Sequence, residues 1–230
     1  MCIRDRGYTL IYSQVTEYIP YLIDGAWISL QIAVLAFSGG MFLGLVLASI
    51  ITFGNYYLKK LIVIYVTFFT NTPQLVQIYF LFFALPEVGI LLSPFIAVLI
   101  GMTLNASAYM CEIQRAGFLS IRQNELDAAK TMGFSIVQQV RYIILPHIIK
   151  VLFPPLSNHY ILMTLGTSMA AIFGVEELTG RAFIINSETF RSVEIFSITA
   201  LVYIIITYIA TLLLAITGKY CFNVKIRIIQ

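Results

Sequence analysis

The apolar positions of this chain fall in long uninterrupted runs, with the charged positions gathered between them. No Asp, Glu, Lys or Arg occurs in 25–58, 61–86, 88–111, 151–175 or 195–218. A helix crossing a bilayer needs about 20 apolar residues at about 1.5 Å rise each, and every window is long enough. The pattern predicts an all-α integral membrane protein with five spans, about 26–51, 61–85, 90–111, 151–175 and 195–217. Residues 7–24 then form a segment before the first span, and 219–230 a tail after the last.

The interruptions within the runs are informative. The first span carries Ala36, Gly40, Gly44 and Ala48 at four-residue spacing, a ridge that admits close approach of another helix. That helix could belong to this chain or to a second subunit. Asn71-Thr72-Pro73-Gln74 and Gln77 interrupt the second span. The fourth carries Pro154-Pro155, Asn158, His159, Thr164, Thr167 and Ser168. Polar groups in hydrocarbon need partners, so this span is expected inside the bundle or beside a wet cavity. Between the third and fourth spans, 112–147 is polar but patterned. Asn124 is placed to cap a short helix carrying Glu125, Asp127 and Lys130, and Gly133 to end it.

Composition strengthens the membrane reading: 60% hydrophobic and 11% charged residues, against about 45–50% and about 25% in soluble domains. The net charge of +3 matters less than its distribution. With the N-terminus outside, ten basic residues lie in the inner segments 52–60, 112–150 and 219–230. Only Arg181 and Arg191 lie outside, apart from two in the first six residues. The positive-inside rule therefore selects N-out, C-in. Residues 1–6 read as a translated sequencing-adapter fragment and are set aside. Cys2, Cys111 and Cys221 are too dispersed to suggest a disulfide framework or a zinc site.

No catalytic constellation emerges. His147 and His159 stand 12 apart without a carboxylate or thiol at ligand spacing, so no metal site is expected. His159 is expected to bond between helices rather than to touch a solute. The chain lacks G-x4-G-K-[ST] and so has no phosphate-cradling loop of its own.

The inner segment reads Asp127-Ala128-Ala129, Gly133 and Ile143-x-Leu145-Pro146. Its spacing resembles the E-A-A-x3-G-x9-I-x-L-P signature of bacterial ABC-importer permeases, with Asp in place of the first Glu. The flanks resemble the polar-amino-acid branch of that family. They are Thr72-Pro73-x-Leu75-Val76-Gln77, Ser107-Ala108-Tyr109 with Glu112-Ile113-x-Arg115-x-Gly117, Leu152-x-Pro154-Pro155-Leu156-x-Asn158, and Thr167-Ser168 with Glu177-Leu178. Thr70-Asn71, Leu165-Gly166 and Arg122 depart from its usual R-G, K-D and proline. The resemblance spans about 25–218 and implies a type I ABC-importer transmembrane domain.

In that family the stretch about 122–134 is a coupling helix docked on a separate ATPase, so the resemblance assigns Glu125, Asp127, Ala128, Ala129 and Gly133 to coupling. It further implies ATPase subunits that hold ATP and Mg, an extracytoplasmic solute-binding protein and an amino-acid substrate. Five helices are few to enclose a path, so a second copy or a homologous permease is expected. The setting is the bacterial cytoplasmic membrane, with lipid around the spans and no role for nucleic acid. Thr72, Asn105, Asn158, Thr167 and Ser168 are the candidates for the path. The alternative, a secondary transporter or channel, lacks the midplane carboxylate that a proton-coupled carrier places in a span.

Overall fold

A computed structural model describes residues 9–222. The adapter-like leader, Lys225 and Arg227 lie outside the described residues. Nine α-helices follow one another along the described chain: α1 Ile19–Phe53, α2 Tyr56–Thr70, α3 Gln74–Tyr79, α4 Pro94–Leu119, α5 Gln123–Thr131, α6 Ile136–Gln139, α7 Leu145–Gly166, α8 Leu178–Thr189 and α9 Ser192–Phe222. Four stretches are long and apolar enough to cross a membrane: 12–53, 94–119, 136–173 and 192–222. Tyr56–Thr70 and Gln74–Val88 make a fifth only as a pair bent by 105°. The second span is thus broken at Asn71-Thr72-Pro73, where polar residues interrupt its apolar run.

Local chemistry sets the ends. Asn55 accepts the Leu58 N–H (2.9 Å) at the start of α2. Ser93 accepts that of Ile96 (3.4 Å) ahead of Pro94 in α4. Helix α1 begins seven residues earlier than expected, because the apolar run extends back through Leu22 and Pro20 is tolerated in a first turn.

The α1 ridge packs against α4 of this same chain. A Cβ added at Gly40 would stand 2.7 Å from Ala106 Cβ, and one at Gly44 2.8 Å from Met110 Cβ. Around this seam lies the main core of Ile32, Ala36, Ile78, Val98, Met102 and Phe173. A smaller cluster at the inner end joins Ala48, Ile62, Val66 and Cys111. At the outer end Val15, Leu22, Leu178, Ala182 and Ile195 hold α8 against α1 and α9. Most of the chain between the fourth and fifth spans is therefore a packed helix.

Of the two placements expected for the fourth span, it takes the one beside a cavity, which His159 lines, and not the one inside the bundle. Only 6% of its most apolar window is buried within this chain, so it stands at the edge of the single subunit rather than inside the bundle. Its hydroxyls are spent locally: Ser157 donates to the Phe153 carbonyl (2.7 Å) and Thr164 to that of Tyr160 (2.9 Å). These internal bonds make a polar helix tolerable at an edge.

Candidate translocation site and coupling segment

The site is built on the break in the second span. Pro73 has no N–H to donate, and its ring disfavours a helical Thr72. Helix α2 therefore stops at Thr70, and carbonyls near its end lose their helical partners. Side chains replace them. Asn71 Nδ2 donates to the Thr67 carbonyl (2.8 Å), and Thr72 Oγ1 to that of Phe68 (2.8 Å). The Phe69 carbonyl accepts Gln77 Nε2 at 3.0 Å and Asn105 Nδ2 at 3.2 Å. Tyr109 OH donates to the Thr70 carbonyl (3.3 Å). Gln77 links the set: its Nε2 also reaches Thr72 Oγ1 (2.7 Å), and its Oε1 accepts from Asn105 (3.0 Å). Non-helical backbone survives at membrane depth only when satisfied in this way.

Beside the break opens a cavity of about 380 Å³, within the range of about 300–1,000 Å³ typical of small-molecule sites. Thr72, Pro73 and Gln74 line it from the break, Asn105 and Tyr109 from α4, and His159 from α7. Among the described residues, no Asp, Glu, Lys or Arg lines it. His159 Nε2 is buried without a hydrogen-bond partner among the described residues, and its ring centroid stands 5.7 Å from that of Tyr109. The inter-helix bond expected of His159 is thus not made through that nitrogen, because the side chain borders the hollow. The chemistry on offer is neutral: a hydroxyl, amides, a phenol and an imidazole.

Of the five path candidates, Thr72 and Asn105 line this cavity. Asn158 is exposed, one step of about 100° around α7 from His159. Thr167 donates to the Thr164 carbonyl (2.7 Å) and Ser168 to that of Leu165 (2.9 Å). The chain tightens into a 3-10 turn over Thr167–Phe173, which folds both hydroxyls back on the backbone. Gln74, Tyr109 and His159 join the cavity in addition. Tyr109 was legible in principle, since it lies four residues beyond Asn105 on the same face of α4.

A second polar cluster lies toward the outer end around Glu177, which the sequence singles out only as part of a family motif, with no sign of its partners. Glu177 is fully buried. Its carboxylate accepts Ser29 Oγ (2.8 Å) from α1, Tyr203 OH (3.0 Å) from α9 and the Gly180 N–H (2.9 Å) at the start of α8. Burial raises its pKa above the ordinary carboxyl value, partly opposed by the bonds from Ser29, the backbone and Tyr203.

On the inner side, α5 begins after Arg122 rather than at an Asn124 cap, and Arg122 makes no capping bond. Its end is the glycine turn that the sequence indicates. Gly133 has φ +80°; its N–H bonds the Lys130 carbonyl (3.0 Å) and the Phe134 N–H that of Ala129 (3.0 Å). That is a Schellman motif. Glu125, Asp127 and Ala128 are exposed, whereas Ala129 is 3% exposed and turned into the chain. Of the two alanines that the resemblance assigns to coupling, only Ala128 is exposed. Ser120 Oγ meets His147 Nε2 at 3.2 Å and ties the approach to α5 to the base of α7.

A broken second span, a neutral cavity beside it and a presented inner helix together define an importer permease. The chain belongs to the family of binding-protein-dependent transport system inner membrane components, which its residues 40–219 match. Among individual relatives, the glutamine transport system permease protein GlnP of Escherichia coli (strain K12) is 35% identical over 205 residues, covering 88% of this chain and 94% of that protein. The crystal structure of an amino acid ABC transporter with histidines superposes with a TM-score of 0.85 at 29% identity, covering 92% of this chain and 99% of that one. An inward-facing MetNI methionine ABC transporter, at 18% identity and a TM-score of 0.67 over 86% of this chain and 95% of that one, shares the fold. The fold is that of a type I ABC-importer transmembrane domain, as the motifs implied. None of these relatives supports the secondary-carrier or channel alternative.

Proposed function

We propose that this chain is the permease subunit of an ATP-driven importer that moves amino acids across the bacterial cytoplasmic membrane. The observation that carries the substrate class is the cavity at the break in the second span. A zwitterion brings both charges with it, and amides, hydroxyls and an unpartnered imidazole nitrogen can meet both ends without a fixed charge that would hold either too tightly. Thr72, Gln74, Asn105, Tyr109 and His159 are the groups that contact the solute in this reading. The glutamine permease among the relatives agrees with it.

Force enters from inside. Separate ATPase subunits bind ATP and Mg, and α5 docks on them through Glu125, Asp127 and Ala128, with Gly133 fixing how the helix is presented. A second permease copy or a homologous permease completes the path, and a solute-binding protein delivers substrate on the outer side. The test is reconstitution of the permease with its ATPase and binding protein in liposomes, supplied with a panel of radiolabelled amino acids. Ala128→Arg puts a bulky charge on the docking face, and Gly133→Val forces a β-branched residue to positive φ at a cost of about 1–3 kcal/mol. Both variants are expected to insert normally and to lose uptake, with weakened ATPase association or hydrolysis uncoupled from substrate. His159→Ala is expected to lower uptake while substrate-independent hydrolysis persists. Wild-type stimulated hydrolysis and uptake in Ala128→Arg and Gly133→Val would refute the coupling role; unchanged uptake of every amino acid in His159→Ala would refute the cavity.

A further inference from the structure

Two hollows follow one another along the seam between α7 and α9. The inner one, about 270 Å³, is lined by Leu145, Pro146, Ile149, Lys150, Cys221 and Phe222. The next, about 300 Å³, lies where α1 joins the seam: Val34, Phe37 and Met41 of α1 face Phe153 and Tyr160 of α7 and Leu214 of α9 across it. Ile149, Phe153, Leu156 and Tyr160 recur at steps of four, three and four, so they share one side of α7. Leu214 and Cys221, seven apart, share one side of α9. Seven residues of helix rise about 10 Å, which stacks the hollows along the membrane normal. The rings of Phe153 and Phe222, one from each hollow, stand 5.1 Å apart.

The walls are almost wholly apolar. Ser157 in the upper hollow is turned onto the Phe153 carbonyl, and among the described residues Lys150 is the one charged residue lining either hollow. It sits at the end that the charge rule places at the cytoplasmic surface. Water is a poor occupant of so apolar a groove. A second copy of this chain would have to bring a carboxylate to Lys150 at that depth. Of the acidic residues described on its inner side, Glu112 is bonded to Arg115 at 2.7 Å and Asp127 lies 3.5 Å from Lys130, and Glu125 is on the α5 face that the proposed function gives to the ATPase.

We propose that the α7–α9 seam binds one acyl chain of an anionic phospholipid of the inner leaflet, with the lipid phosphate paired to Lys150. Apolar contact alone does not distinguish this lipid from its neighbours, since lipid tails are as apolar as the groove. Selection comes from the ammonium at the interface, and the groove supplies the order that keeps the chain in place. The proposal rests on the membrane orientation and not on the transported solute.

The purified permease complex, exchanged with phosphatidylglycerol or with phosphatidylcholine of the same acyl chains, is examined by native mass spectrometry. Wild type is expected to retain phosphatidylglycerol about fivefold better, the size expected of one basic residue at a membrane surface. Lys150→Gln is expected to remove the preference and Lys150→Arg to keep it. Lys219→Gln, a control whose ammonium lies over its own Tyr220 ring at 5.4 Å, should leave it unchanged. Leu214→Trp, which fills the upper hollow, should lower retention of both lipids. Equal retention by wild type and Lys150→Gln, or an equal loss in Lys219→Gln, would overturn the site. Efficient Cys221–Cys221 crosslinking between two copies in native membranes would seat a second permease on the seam and overturn it as well.

Discussion

Gly44→Ala adds one methyl group at the closest point between α1 and α4. The new Cβ would lie 2.8 Å from Met110 Cβ, 3.0 Å from the Cys111 nitrogen and 3.0 Å from the Ser107 carbonyl oxygen. Carbon atoms rest at about 3.5–4.0 Å, so the methyl is about 1 Å too close to the Met110 Cβ. Two of its neighbours are backbone and the third is the first carbon of a side chain, so none can rotate away. The helices must part, and Gly40, packed 2.7 Å from Ala106 by the same measure, parts with them. Overpacking of this kind costs about 1–3 kcal/mol, while replacing glycine inside a helix returns about 0.5–1 kcal/mol. The net expectation is a loss of about 1–2 kcal/mol. Gly166→Ala is the matched comparison. There the nearest atoms would be 3.7, 3.8 and 3.9 Å away and the backbone is right-handed helical, so the same chemical change should be neutral or stabilising. The assay is thermal unfolding of the detergent-purified permease, followed by loss of the monodisperse peak in size exclusion. Met110→Ala should not rescue Gly44→Ala, because the clash is with the Cβ that alanine keeps. A Gly44→Ala protein as stable as Gly166→Ala would refute the reasoning.

Other expectations concern the polar sites. Gln77→Leu removes the amide that bonds the Phe69 and Thr72 carbonyls and is expected to cost about 1–3 kcal/mol in the same unfolding assay, with uptake reduced; unaltered stability would mean that the break holds itself. Glu177 carries a raised pKa in the folded protein, so its contribution is fully present below the ordinary value of 4.5 and is lost as pH rises through the folded value. Wild-type thermal stability should therefore fall as pH rises above about 4.5, and Glu177→Gln should flatten the dependence; identical pH profiles would show that the carboxyl is not responsible. For topology, Asn124→Cys and Ser187→Cys are compared in a chain whose other cysteines have been replaced. The first should react with an impermeant maleimide only from the cytoplasm and the second only from outside, and reaction of both from one face would end the N-out, C-in arrangement.

Some of this architecture is set residue by residue. A charge in hydrocarbon is costly wherever the rest of the chain goes, so charge-free windows report the crossings directly and the loops between them report the orientation. The end of α5 is similarly local, since the left-handed turn at Gly133 requires the missing side chain and its carbonyl partners lie within four residues. Pro73 announces a break for the same reason.

Other features need partners that are distant in sequence. Asn105 looks like a residue of the path, yet its amide first holds the Phe69 carbonyl, 36 residues away, and only the packing of α4 against the break brings both to the cavity. The α1 ridge is equally suited to a neighbouring subunit or to its own chain, and the 2.7–2.8 Å approaches to α4 decide for its own chain. Glu177 resembles any other outer carboxylate until α1 and α9 bring Ser29 and Tyr203 to it from 148 and 26 residues away. Which of Ala128 and Ala129 faces a partner depends on the rotation of α5 against the chain beneath it. Solvation is a property of each side chain and its neighbours, and can be read along the sequence; hydrogen bonds and close approaches between distant residues exist only once the helices have packed.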